Sequence, residues 1–214
     1  MATRATYKID GMTFYCHWDG YPAGAAGRFV NAIAALTKAA DEKALDVYAE
    51  ARGGLAFAFI RGNLDAEPTG SHADHGDTEY RYTVTSNKDP AKPQFSIKVE
   101  ARNLNTGLWN RETESEDLAA WCNRMREDWV AKINAMKAQR NEPAVPREEL
   151  LEGWPLLVTA KLDDGYGFKS LMVATEDNAK AIAEVAGKKA AFYPESNPNR
   201  KGYQRKAEQW AAAA

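Results

Sequence analysis

The sequence predicts an α+β fold: an antiparallel sheet of two hairpins covered by helices, with a small C-terminal β-β-α unit. Three observations carry that expectation. Apolar residues alternate with polar ones at Tyr80, Tyr82 and Val84 and again at Phe95, Ile97 and Val99, the period of a half-buried strand. From Leu118 to Met136 the apolar residues recur at threes and fours, the period of a helix. A proline-bearing segment, Asn141-Glu142-Pro143-Ala144-Val145-Pro146, then separates that helix from two further alternating runs and an alanine-rich helix.

Length and composition bound the reading. A chain of 214 residues holds one sizeable domain, or one domain and an appendage. The expected division is a main α+β domain over 1–142, the β-β-α unit over 143–193 and a basic, mobile tail over 194–214. With 44% hydrophobic and 27% charged residues the chain is composed like an ordinary globular protein, so disorder is not the default. A net charge of −2 gives no reason for non-specific nucleic-acid binding, and is too weak for an imitation of polyanionic DNA. The two cysteines, Cys16 and Cys122, fall in a strand and on a helical apolar stripe. Buried free thiols are therefore expected, as in a reducing compartment. The first residues lack the apolar core of a signal peptide, and no run approaches 18 apolar residues. The expectation is a cytoplasmic protein of the host cell, with no membrane partner.

The elements follow in order. Residues 5–10 and 12–18 read as strands joined at Asp10-Gly11, the signal of a type I′ turn. In the second strand Phe14, Cys16 and Trp18 share a core face, and Tyr15, His17 and Asp19 the other. From 23 to about 40, Phe29, Ile33 and Leu36 mark one face of a helix. A second helix from about Asp41 carries Ala44, Leu45, Tyr48 and Ala51 and ends at Gly53-Gly54. The apolar run Leu55 to Ile60 fits a buried strand or a buried helix, and helix is preferred. Residues 62–77 form a polar loop, long for a compact domain and so a place for function. A long helix is expected over 114–139 because Thr113 and Glu116 have capping-box spacing; at that length it spans roughly 39 Å and crosses the sheet. In the C-terminal unit, Leu156, Val158 and Ala160 pair with Leu171 and Val173 across Asp163-Asp164-Gly165. Thr175 caps a helix whose Ala179, Ile182, Ala183 and Ala186 face inwards and which Gly187 stops. About 40 residues are too few for a core of their own, so this unit must dock on the sheet or on another copy.

Three places could carry chemistry. The first is the loop–helix junction Tyr15-Cys16-His17-Trp18-Asp19-Gly20-Tyr21-Pro22-Ala23-Gly24-Ala25-Ala26-Gly27-Arg28, where glycines would let an anion approach the unpaired N–H groups of a helix start. It is neither a dinucleotide fingerprint nor a phosphate loop, since Pro22 replaces the first glycine and no Lys-Ser/Thr follows. The competing reading is a tight turn whose small residues permit packing. The second is the histidine set. His72 and His75 lie in a loop rich in carboxylates, and if His17 and Asp77 converged with them the four could hold a divalent ion. H-x-D-H is no established ligand spacing, and no cofactor is favoured. The third is the basic end, where Lys188, Lys189, Arg200, Lys201, Arg205 and Lys206 alternate with Tyr193, Tyr203 and Trp210. That mixture could grip a single nucleic-acid strand, and is otherwise a solvated terminus.

The segments His17-Trp18-Asp19-Gly20-Tyr21-Pro22 and Gly76-Asp77-Thr78-Glu79-Tyr80 resemble those of a loose group of uncharacterised accessory proteins from phages, prophages and mobile elements. The resemblance covers about the first 85 residues and implies context rather than chemistry, so no catalytic residue is carried over from it. By analogy, the resemblance implies action on host machinery or host-defence signals by binding rather than by turnover. The expected function is a non-catalytic accessory protein that binds a host protein or a nucleotide-like ligand through His17, Asp19, Tyr21, Gly24, Gly27 and Asp77. The alternative is a metal-dependent hydrolase using His17, His72, His75 and Asp77. A homodimer is left open.

Overall fold

The computed structural model describes residues 3–37, 54–87, 89, 91–163 and 169–214. The expected helix from about Asp41 and part of the expected turn at 163–165 lie outside them. The fold is α+β, as expected. A six-stranded mixed sheet has the order β3-β2-β1-β4-β5-β6, and a separate antiparallel pair is formed by β7 and β8.

The strands are β1 (Ala5–Ile9), β2 (Met12–Cys16), β3 (Glu67–Thr69), β4 (Tyr80–Ser86), β5 (Phe95–Arg102), β6 (Trp109–Asp117), β7 (Leu157–Asp163) and β8 (Lys169–Thr175). Asp10 and Gly11 both take positive φ, 48° and 93°, which is the turn that the Asp-Gly pair predicts between β1 and β2. Both expected hairpins are antiparallel, but they meet through a parallel pairing of β1 with β4, Tyr7 lying beside Tyr82. The cause is the route of the chain. After β2 it climbs over one face through α1 (Pro22–Leu36) and α2 (Gly54–Gly62), and returns into the sheet in the direction of β1. The run Leu55–Ile60 is helical, within α2.

One sheet face carries the core. Tyr7, Phe14, Tyr82 and Ile97 point into it, and Phe29 of α1, Phe59 of α2 and Trp121 of α3 (Leu118–Gln139) meet them. Tyr7 stacks on Tyr82 at 5.0 Å, and Phe29 stands edge-on to Tyr7 at 5.8 Å, so the alternation in the strands becomes one aromatic cluster. Cys16 and Cys122 are buried free thiols, and burial pushes the Cys16 thiol up to about 12.

Three boundaries differ from expectation. α3 starts at Leu118 with Asp117 as its cap, because residues 114–117 belong to β6, Asp117 lying beside Ser96 and Glu116 beside Ile97 of β5, with a bulge at Glu114 and Ser115. Only the first two turns of its stripe are core. Beyond Met125 the helix leaves the sheet, Trp129 is half-buried, and Met136 is 40% exposed. There the linker lies along it instead: Asn134 exchanges two hydrogen bonds with Val145, and Arg147 of α4 (Arg147–Leu150) pairs with Glu127. The helix after Thr175, α5 (Glu176–Phe192), runs through Gly187, since Ala190 beyond it is buried. Thr175 caps it as expected, accepting from the Asn178 N–H.

The expected mobile tail is a helix, α6 (Pro198–Ala211), capped by Asn197. Its Trp210 is fully buried with Ala160, Ala174, Ala179 and Ile182, so the aromatic residue at the polar end docks on its own chain. The unit docks on its own chain too, against α1 and α3. Asn123 of α3 exchanges two bonds with Leu157, and the Asn178 amide donates to the Ala34 carbonyl and to Thr37. Among the described residues no helix is long and apolar enough to cross a membrane.

Candidate functional site

The chain leaves β2 at Cys16, passes over the end of β1, and enters α1 at Pro22. The bend is made by Asp19, whose φ of 54° is unusual for a residue with a side chain. Two glycines let it fold tightly. A Cβ on Gly20 would stand 2.7 Å from the Arg4 backbone, and one on Gly24 would stand 2.2 Å from the Asp19 carbonyl oxygen. Gly24 is thus a packing glycine. Gly27, one turn on, faces open space.

That space is a cleft of about 760 Å³. Of the residues expected at the site, Asp19, Tyr21, Gly24 and Gly27 all line it. The residues that complete it come from distant segments. Arg28 is buried and holds Asp65 in a two-pronged pair, 2.7 and 2.6 Å, while also donating to the Trp18 carbonyl at 3.0 Å. Asn63 fixes the same wall, its amide donating to the carbonyls of Arg28 and Phe59. The Trp129 and Trp154 rings form the far wall; Tyr21 lies nearly parallel to Trp129, 6.0 Å between centroids. Arg126 positions Trp154 by donating to its carbonyl.

Both ends of the Arg28–Asp65 pair stay charged. Burial alone would lower the Arg28 pKa, but the hydrogen bonds and charge of its surroundings, Asp65 above all, raise it. The hydrogen bonds from Arg28 hold the Asp65 carboxyl below its usual value. Such a pair shapes a wall and does not exchange protons near neutrality.

His17 and Asp77 are not at the cleft. They lie on the opposite sheet face with Tyr15, whose hydroxyl is 3.3 Å from His17 Nδ1 and 3.5 Å from Asp77, with Arg4 pairing Asp77 at 3.1 Å. The expectation that His17 and Asp19 share a face fails because β2 ends at Cys16, and strand alternation no longer governs Asp19. Nor are the four candidate metal ligands gathered. His72 Nδ1 lies 2.7 Å from the Thr6 hydroxyl and its Nε2 3.3 Å from that of Thr83. His75 stacks flat on Tyr15 at 4.0 Å and turns Nε2 to Thr69. Among the described residues no group of three or more His, Cys, Asp or Glu is placed to hold a metal ion.

Instead, His72 latches the 70–78 loop onto the sheet. Burial, helped by the charge of Arg81, lowers its pKa from 6.5 to about 4. Between those values the unfolded chain takes a proton that the folded chain refuses, so stability falls as pH drops through that window. Urea midpoints at pH 7 and pH 4.5 are expected to show a smaller acid loss in His72→Gln than in the parent. An equal loss would remove His72 as the cause.

The two glycines separate in the same way. Gly24→Val is expected to cost at least about 1–3 kcal/mol, because the clash is with backbone. Gly27→Ala is expected to stabilise α1 by up to about 1 kcal/mol, since alanine suits a helix interior and nothing opposes its methyl. Thermal melts of the two variants check both signs.

No family model, curated protein or solved structure matches this chain.

Proposed function

We propose that this chain is a non-catalytic binding protein of phage or mobile-element origin, acting on its host by sequestering a nucleotide-like ligand in the cleft at the start of α1. The observation that carries the reading is the composition of that cleft. Its walls are the flat rings of Tyr21, Trp129 and Trp154, and its floor is the glycine-bearing side of α1. Rings accept a base by stacking, and the missing side chain at Gly27 lets a ligand lie close to backbone. The volume falls within the usual range for a small-molecule site, roughly 300–1,000 Å³. The ionised Arg28–Asp65 pair makes the wall rigid before any ligand arrives, which favours binding by reducing what must be ordered.

A second reading, a host protein as the partner, is favoured by the rim. Leu64, which lines the cleft, is 90% exposed. Large apolar side chains held out in this way suit a protein contact.

Titration with nucleosides, mononucleotides and cyclic dinucleotides, followed by tryptophan fluorescence, decides between them. Saturable binding is expected, weakened about 10- to 100-fold in Trp129→Ala, the usual effect of losing one stacking ring. Trp129 is only half-buried, so the variant keeps its fold. No response to any of these compounds would overturn the small-molecule reading and leave the rim.

A further inference from the structure

We infer that the cleft reads the uncharged, donor-rich half of its ligand, a nucleoside, with Asp19 as the acceptor, and that phosphate groups weaken binding. The inference rests on the nucleotide-like reading of the cleft and reverses the anion-binding role that a helix start suggests.

The charges decide it. Asp19, Arg28 and Asp65 line the cleft. Arg28 and Asp65 neutralise each other through two short hydrogen bonds. Asp19 remains. Among the described residues its carboxylate meets no cation and no hydrogen-bond donor, and it is exposed to the cleft. The positive end of α1 does not leave room for a phosphate either. The Asp19 backbone packs against that end, its carbonyl oxygen where a Gly24 side chain would be, and the Asp19 carboxylate adds a negative charge to the cleft lining. Tyr21, two residues on, feels that charge: burial first, and then Asp19, raises its phenol pKa.

The backbone that carries this carboxylate is held in place. Asp19 has φ 54°, a state uncommon for residues other than glycine, asparagine and aspartate, and the close approaches at Gly20 and Gly24 fix it there. A carboxylate with no other partner accepts two hydroxyl donors at once, which is how an acidic side chain recognises a ribose. Asn31, on the α1 wall, offers a donor and an acceptor to a base edge, and the rings take its face.

Calorimetric titration tests this with adenosine, guanosine, cytidine and uridine, their 5′-mono- and diphosphates, and the 2′,3′-dideoxy form of the tightest nucleoside. For the parent protein, each added phosphate is expected to weaken binding about two- to threefold. Loss of both ribose hydroxyls, or Asp19→Asn, is expected to weaken nucleoside binding about tenfold or more, the effect of a hydrogen bond to a charged acceptor. Asparagine tolerates the same backbone state, and an unchanged melt confirms that the turn survives. In Asp19→Asn the penalty for phosphate is expected to vanish. Diphosphates binding the parent more tightly than nucleosides, still dependent on Trp129, would overturn this inference and leave the cleft as the site. An absence of binding by every compound would overturn both.

Discussion

Trp121→Ala is expected to lower the free energy of unfolding by about 3–5 kcal/mol, the range for removing a large aromatic side chain from a core. For a chain of this size that is roughly a 10 °C drop in melting temperature. Trp121 is 2% exposed, and its ring meets Phe29 of α1 edge-on at 6.2 Å and Tyr82 of β4 at 5.8 Å. It therefore joins the three layers on which the cleft depends: the sheet, the helix bearing Gly24, Gly27 and Arg28, and the helix bearing Trp129. Met136 supplies the control. It lies on the same stripe and reads as equivalent from periodicity, yet it is 40% exposed beyond the end of the sheet. Met136→Ala is expected to change stability by less than about 1 kcal/mol. Denaturant unfolding of both variants checks the contrast. Equal losses would mean that the whole stripe is core, and that the described exposure of the distal half is covered in solution.

That contrast shows what patterning can and cannot convey. Alternation placed Tyr80, Tyr82 and Val84 on the core face, and the Asp-Gly pair located its turn, because both signals are local. The parallel pairing of β1 with β4 was hidden, since it depends on a route over the sheet that no local pattern encodes. The beginning of α3 was misread for a related reason. Glu114, Ser115 and Glu116 suit a helix start, but β5 pairs with Thr113 and Glu116 on either side of a bulge, and tertiary context overrode propensity. At the site, Asp19, Tyr21, Gly24 and Gly27 were legible as one loop–helix junction. Arg28 was within the same segment and passed over, because its importance lies in a partner 37 residues away. Trp129 was counted as core and Trp154 was not singled out. Both are cleft walls, and no spacing in the chain connects them with α1.

Asp65→Ala is expected to be more damaging than Arg28→Met, although the two remove opposite ends of one pair. Arg28 has a side chain only 10% exposed, and its Nε already lacks a protein partner. Taking away Asp65 strands a guanidinium where water reaches it poorly. Breaking a fully buried pair in this way costs about 3–5 kcal/mol; the Asp65 side chain is 49% exposed, so water enters from its side and about 2–3 kcal/mol is expected. Arg28→Met leaves the other partner, a half-exposed carboxylate that water can solvate, and methionine refills much of the space. About 1 kcal/mol is expected there, chiefly from the lost bond to the Trp18 carbonyl. The double variant Arg28→Met/Asp65→Ala should then be more stable than Asp65→Ala alone, because no charge is stranded. Acid provides an independent arm. Since Asp65 has a lowered pKa in the folded chain, its contribution is present above the unfolded value of 3.8 and is lost as pH falls through the lower folded value. The parent and Asp65→Ala should differ in melting temperature at pH 7 and converge in strong acid. Should Asp65→Ala prove the milder of the two at pH 7, Arg28 would have to find water or another acceptor inside the wall. The cleft would then be softer than its hydrogen bonds imply.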